Sequence, residues 1–518
     1  MRLLTLFFPA SLLLVSVLGL AAGDEKVISL AELRDKIEGG WAGQIIGVSF
    51  GAPTEFKSNG KILEGELPPW SPERLSNAIH QDDLYVDMTF AKVLDEKGLD
   101  ATTEDFGAMF RESKYALWHA NLAARRALKR GVPAGESGTP RYNVHANDID
   151  FQIEADFIGL MAPGLPQAAV AIADRAGRVM NYGDGLYGGM FVSGMYSAGF
   201  FESDVRKVVE AGLACIPSRS PYAQVISDVL RWHQENPKDW RHTWHLIERK
   251  WNRRDPCPAG AFSPFNIDAK LNGAYIALGL LYGNKDFGQT MEISTRAGQD
   301  SDCNPSSAAG ILGVMTGYRA IPEVWKEGMS AIAGQKFDFT DYTFEEIVQS
   351  TEKRAIELVR RNGGRLEGER LIVKTQNPKA PKLQVWDDYG SPAELITITD
   401  PRWIWRGNWR QPAEGRDSKL RIATEFGAEA EISFEGTGAI VVGPYLPDGG
   451  VLEAYLDGEF ADRQDVYSDD DGRRDGESVW HRFGLKPGKH TIVIKALGQP
   501  FGDSSGTKVA IESLIVFR

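Results

Sequence analysis

The chain has 518 residues, 42% hydrophobic and 25% charged, and its 71 acidic against 58 basic side chains leave a formal net charge of -13. That length predicts two or three domains, and the composition fits a globular protein while excluding a disordered, collagenous or coiled-coil chain. The acidic balance argues against a general affinity for nucleic acid or anionic membranes.

At the start, Met1-Arg2, the apolar run Leu3 to Leu20 and the small residues Ala21-Ala22-Gly23 read as a signal peptide over residues 1–23. A periplasmic or extracellular location follows as an expectation. The run is long enough for an uncleaved anchor to be weighed, but the small residues favour cleavage. No later segment is apolar enough to span a bilayer, so no stable membrane anchor is expected, and the oligomeric state is left open. Cys215, Cys257 and Cys303 are too few for a disulfide scaffold.

Residues 24–364 carry a helical pattern. Ser29 with Glu32 predicts a capping box, and Leu30, Leu33, Ile37, Trp41 and Ile45 recur at helical spacing. The last helix of the region is predicted from Thr343, with Glu346 three residues on and Asn362-Gly363-Gly364 as its stop. Small-residue helices over Gly185 to Gly199 and Ala308 to Gly317 imply close helix packing. Residues 365–382 are charged and interrupted by proline, which suits a linker. Residues 383–518 change to alternating segments such as 429–434 and 491–495, separated by Gly- and Pro-containing turns, which predicts an antiparallel β-sandwich.

Two acidic clusters open predicted helices, Gln81-Asp82-Asp83 and Gln299-Asp300-Ser301-Asp302-Cys303-Asn304, the latter with Pro305 expected at the first helical position. Asp at a helix start is often only a cap. Two carboxylates this close repel, and hard oxygen donors suit Mg²⁺, or Mn²⁺ or Ca²⁺, rather than zinc. A third acidic stretch, 145–156, places Asp150 and Glu154 four apart, on one predicted helix face beside an apolar stripe of Ile149, Ile153, Phe157 and Leu160. One of Asp150, Gln152 and Glu154 is expected to contact a sugar or move a proton, against the plainer reading of a solvated face or internal caps.

Three ordered motifs give the helical region a specific resemblance. Gly47 to Phe56 matches a Gly-x-Pro-x-Glu type segment, Gln81-Asp82-Asp83-Leu84 a Thr-Asp-Asp-Thr type motif, and 299–303 a Gly-Asp-Thr-Asp-Thr type motif followed by a small-residue helix and Ile321-Pro322. In these the region resembles the ADP-ribosylglycohydrolase family, which implies an all-α catalytic domain. The resemblance further implies that Asp82, Asp83, Asp300 and Asp302 bind one or two Mg²⁺ ions, which hold the vicinal hydroxyls of a sugar or ribosyl group. Glu55 falls where the family places a carboxylate near the scissile bond, giving catalytic candidates Glu55, Asp150 and Glu154. Gln152, Asn181, Asp184, Gln299 and Asn304 are the substrate-binding candidates.

Gln81, Leu84 and Cys303 depart from the motifs, and 181–189 stands where the family carries a His-containing segment, which implies a different substrate contact. Carboxylates and metal suffice for cleaving a glycosidic bond. The segment 382–518 resembles galactose-binding-like carbohydrate modules through Phe434 to Gly438, Tyr455 to Gly458 and Leu485 to His490. Trp403, Trp405 and Trp409 suit sugar stacking, though core packing is the commoner role. Asp469-Asp470-Asp471-Gly472 reads as a solvated loop or a Ca²⁺ loop. An exported metal-dependent glycosidic hydrolase is therefore expected. The alternative is a non-catalytic sugar-binding protein with a degenerate hydrolase domain.

Overall fold

The computed structural model describes residues 24–518, so the expected signal peptide lies outside the described residues. Helices build the chain from Leu30 to Arg361, and antiparallel sheets follow to Phe517, the helical-plus-β organisation expected. Among the described residues no helix is long and apolar enough to cross a membrane, and all three cysteines are unpaired and buried.

The first helix, Leu30–Gly51, begins where the Ser29 hydroxyl accepts the Glu32 N–H at 3.1 Å, one half of the predicted capping box. Gly39, Gly43, Gly47 and Gly51 recur every fourth residue and so share one face. That face lies against the helix Cys303–Thr316. A Cβ on Gly43 would stand 2.3 Å from the Ala309 carbonyl oxygen, and one on Gly47 2.2 Å from that of Pro305, so only glycine admits the approach. The register runs from Gly39 beside Gly313 to Gly51 beside Ser301 and Asp302. The two helices are thus antiparallel, and the end of the first meets the start of the second. Pro305, expected at the first helical position, is the third residue of its helix, still in the turn whose N–H groups have no intrahelical partner.

The stretch 150–160 departs from expectation. In place of one continuous face it forms two short helices, Asp150–Ile153 and Asp156–Leu160, with Glu154 between them at φ -118 and ψ 21. Tertiary partners take the backbone N–H groups there: Ile149 donates to Ile267 O, Phe151 to Asn181 Oδ1 and Phe157 to Asp87 Oδ1. At the far end, Phe344–Arg361 carries both halves of the Thr343–Glu346 capping box and stops at Asn362, with Gly363 at φ 84.

Residues 365–374, expected within a linker, form a hairpin instead. Arg365–Glu367 pairs with Arg370–Lys374, which also pairs with Glu25–Ser29, placing Val27 opposite Ile372. Leu371 and Val373 enter the helical core, and that burial outweighs the charges flanking them. The chain then runs irregularly along the helical region, held by Gln376 N to Gly164 O at 3.0 Å and Gln384 N to the Tyr187 hydroxyl at 2.6 Å.

The β region stacks a five-stranded and a four-stranded antiparallel sheet over one core that includes Ile396, Ile432, Val441, Ile494 and Leu514. Trp403 and Trp409 are buried in that core, and Trp405 stacks on Trp403 with ring centroids 5.0 Å apart. These tryptophans pack against one another rather than presenting open faces. In the triplet Asp469 to Asp471, expected as a solvated or Ca²⁺ loop, Asp470 stays exposed while Asp469 and Asp471 are paired with arginines. The triplet faces the helix His119–Lys129, where Arg125 meets Asp471 at 2.6 Å and Arg130 meets Asp469 at 2.6 Å and Asp465 at 2.7 Å. Arg125 of that distant helix and Arg130 at its end explain why Asp465, Asp469 and Asp471 can leave water.

A candidate metal centre between two aspartate pairs

The helix pairing described above delivers the site. Glu55 follows directly on the first helix and its short extension Ala52–Thr54, while Asp300 and Asp302 immediately precede the helix Cys303–Thr316. Two cross-links clamp the loops together: Thr54 Oγ1 lies 2.9 Å from Ser301 Oγ, and Phe56 N donates to Gln299 O at 3.1 Å. Asp82 and Asp83 open the helix Asp82–Lys97, which Gln44 of the first helix holds by donating to Asp83 O and to Asp87 Oδ2, both at 3.2 Å.

The two aspartate pairs, more than two hundred residues apart in sequence, converge on Cys303. Its thiol donates to Asp83 Oδ2 at 3.2 Å and lies 3.9 Å from Asp302 Oδ1. Asp82, Asp83 and Cys303 offer ligand atoms within 4.8 Å of one another, and so do Asp300, Asp302 and Cys303.

This crowding is electrostatically costly without a cation. Burial and then the charges of Asp82 and Asp302 hold Asp83 well above the usual carboxylate range, and burial with Asp302 and Glu55 does the same to Asp300. Asp82 is pushed up to about 6 by burial and by Asp302. Glu55, at the exposed rim, is pushed up to about 8 by partial desolvation of its carboxyl and by the charges of Asp302 and Asp82. Asp83 Oδ1 and Asp300 Oδ1 are buried with no hydrogen-bond partner. Buried acceptors are rarely left so. Orphaned hard oxygens from several carboxylates are the donor set of a hard divalent cation, so the residues fit the metal that the family resemblance implies.

The other expected residues divide into two groups. Asp150 and Glu154 stand behind Asp82, whose charge acts on both. Asp150 Oδ1 accepts the Asn121 N–H at 2.8 Å, Glu154 Oε1 accepts from the Asn121 side chain, and each keeps one buried oxygen unpaired. Glu154 is fully buried, so it cannot touch a substrate in this conformation. Neither lies on a solvated face, and burial pushes Asp150 up to about 7.

The second group is hydrogen-bonded within the fold. Asn181 accepts from Phe151 N and donates to Ala146 O and Asp148 O. Gln299 accepts from Asn266 N and donates to Pro264 O, both at 2.9 Å. Gln152 accepts the Tyr222 hydroxyl at 2.5 Å, Asp184 accepts Tyr222 N at 3.2 Å, and Asn304 donates to Asn272 at 3.0 Å. These five side chains, expected to contact substrate, have partners within the fold, and Gln152 Nε2 and Asn304 Oδ1 are buried without one.

Residues missed by sequence reasoning include Asn121, which joins Asp150 to Glu154, and Phe56 and Phe265, which join the expected apolar residues Ile149 and Ile153 in a wall beside Cys303. Phe56 had a signal in its place next to Glu55. Asn121 and Phe265 had none, because their partners are far away in sequence.

No curated protein matches the chain. Among solved structures, an ADP-ribosylglycohydrolase-related protein complex is similar at 17% identity and a TM-score of 0.39, covering 63% of this chain and 98% of that one. A family 35 carbohydrate binding module from an environmental isolate is similar at 12% identity and a TM-score of 0.17, covering 24% of this chain and 90% of that one. A family two carbohydrate esterase from Clostridium thermocellum, in complex with cellohexaose, is similar at 18% identity and a TM-score of 0.16, covering 22% of this chain and 30% of that one. The family model for ADP-ribosylglycohydrolase matches residues 29–361, more than half of the chain and the whole span that builds the aspartate site, and the chain therefore belongs to the ADP-ribosylglycohydrolase family, a family of hydrolases.

Proposed function

We propose that the protein is an exported, Mg²⁺-dependent hydrolase that cleaves an N- or O-linked ribosyl or glycosyl bond, acting on an extracellular glycoside. The observation that carries this reading is the convergence of Asp82, Asp83, Asp300 and Asp302 beside Glu55, with Asp83 Oδ1 and Asp300 Oδ1 left unpaired. Those four aspartates would hold the cation, which when bound supplies a Lewis acid that fixes sugar hydroxyls and lowers the pKa of a bound water. Glu55 reaches solvent at the rim and is the carboxyl placed to move a proton at the scissile bond. Asp150 and Glu154 act at one remove, by holding the start of the helix His119–Lys129 beside Asp82. Phe56 and Phe265 offer an apolar face to the leaving group. The β region is proposed as a galactose-binding-like module that keeps the enzyme on carbohydrate. The export signal of residues 1–23 is the reason for placing the substrate outside the cell.

The test is turnover of glycoside and ADP-ribosyl panels with Mg²⁺ and with EDTA. Hydrolysis should need Mg²⁺, and Asp302→Ala should lose on the order of 100-fold or more in turnover while keeping its helical dichroism. One observation favours the second reading, a sugar-binding protein without catalysis: a thiol, Cys303, sits where the family motif has a hydroxyl ligand. Sugar binding that survives EDTA, with no turnover on any substrate, would decide for it.

A further inference from the structure

A second constellation of ligand-type side chains shares no residue with the aspartate cluster. His119, His145 and Asp148 each present one ligand atom, and the three atoms lie within 4.8 Å of one another. His145 Nδ1 is 2.6 Å from Asp148 Oδ2, and the rings of His119 and His145 meet edge to face with centroids 5.4 Å apart. His145 and Asp148 are buried, whereas His119 is half-buried, so the group opens towards solvent on the His119 side.

The fold holds each member in place. A tight turn, Asp148 N to His145 O at 2.8 Å, brings the side chains of 145 and 148 together, and Asn143 Oδ1 accepts the His145 N–H at 3.0 Å. His119 begins the helix His119–Lys129 at φ 43, a left-handed conformation uncommon for a residue with a side chain. Its ring stacks on Phe265 with centroids 5.6 Å apart and an interplanar angle of 27°, which fixes the imidazole plane. Asp255 and Cys257 also offer atoms within 4.8 Å of Asp148 and are buried. Asp255 spends both oxygens on backbone, accepting Cys257 N at 2.9 Å and Ile267 N at 3.1 Å, so it adds negative charge without competing for the imidazoles.

We propose that His119, His145 and Asp148 form a binding site for a borderline-soft divalent ion, Zn²⁺, separate from the hard-oxygen aspartate site. Two imidazoles and one carboxylate are a donor set that zinc takes readily and Mg²⁺ does not. Zinc bonds of about 2.0–2.1 Å put tetrahedral ligand atoms roughly 3.3 Å apart. The triad reaches that spacing by a slight opening of the His145–Asp148 pair and a closer approach of His119. Three protein ligands leave a fourth position for water or a ligand, on the solvent-facing side of His119.

The test needs no substrate and is independent of the hydrolase reading. The full chain is stripped with chelator, returned to excess Mg²⁺ to fill the aspartate cluster, and titrated with Zn²⁺ alone by calorimetry, with bound zinc counted by elemental analysis. The expected result is one Zn²⁺ per chain, bound about tenfold or more weakly by His145→Ala and by His119→Phe, and unchanged by Asp302→Ala. His119→Phe keeps an aromatic ring on Phe265, so unchanged far-UV dichroism separates lost binding from lost fold. Zinc absent from the wild type, or bound equally well by His119→Phe and His145→Ala, would overturn the proposal and leave an ordinary buried Asp–His hydrogen bond.

Discussion

Glu55 is the exposed carboxyl of the site, whereas Asp82 is half-buried and Asp83, Asp300 and Asp302 are buried, which is why the proton-moving role is proposed for it. Glu55→Gln keeps the shape and removes the titrating oxygen. It should lower turnover on the order of 100-fold or more while calorimetric Mg²⁺ binding stays near wild type. A parallel loss of Mg²⁺ binding would make Glu55 a ligand instead. At this scale the sequence was informative where chemistry is local: adjacent carboxylates at two helix starts are visible as such. It was silent where chemistry is made through space. The Asn121 side chain reaches Glu154 across 33 positions, and Cys303 reaches Asp83 across 220. The backbone partners of Gln299 and Asn181 were hidden for the same reason, since an amide in a loop next to acids reads identically whatever it bonds.

At the scale of elements, the glycine face of Leu30–Gly51 sets the position of the loops that carry Glu55 and Asp302. Gly43→Ala would force a methyl to 2.3 Å from Ala309 O. Overpacking of this kind costs about 1–3 kcal/mol or more. Thermal unfolding should shift downwards, and Mg²⁺ affinity should fall with it, because separating the helices parts the residue 55 loop from the residue 302 loop. Unchanged metal affinity in a folded Gly43→Ala protein would mean the loops are held by their own cross-links. Small-residue density was legible as close packing, but not its antiparallel register, which depends on a helix some 250 residues later. The split of 150–160 into two helices was hidden as well, because an amphipathic period persists even where Asn181 and Asp87 take the backbone donors. The hairpin at 365–374 was masked by its charged ends.

At the scale of the whole molecule, the helical and β regions are joined by buried charge. The side chains of Arg125 and Asp471 are 3% and 5% exposed, and Arg126 lies over the Tyr445 ring at 3.6 Å from its centroid. Asp471→Ala would strand a buried guanidinium, a loss of about 3–5 kcal/mol in denaturant unfolding. A cost near that of a surface pair, under about 1 kcal/mol, would mean that water reaches the junction. Burial alone would raise Asp465, but the Arg130 hydrogen bond and the charges of Arg126 and Arg130 outweigh it and hold the carboxyl below its usual range. The sign follows from the depressed native value: its stabilisation is full above the ordinary carboxylate pKa, near about 3.9, and is lost as pH falls through the native one. Acid titration followed by tryptophan fluorescence should therefore show loosening only below about pH 4, and Asp465→Asn should flatten that dependence. The acidic side chains at 469–471 were legible, but not Asp465 beside them or their partners more than three hundred residues earlier.

That junction governs how the protein can be taken apart. A fragment ending near residue 364 would leave Arg125, Arg126 and Arg130 as an uncovered cationic ridge, on the very helix whose first turn touches Asp150 and Glu154. Such a fragment would be expected to bind polyanions adventitiously and to hold Asp150 and Glu154 less firmly. Its failure to turn over a substrate would then report the missing buttress rather than the chemistry of the aspartates.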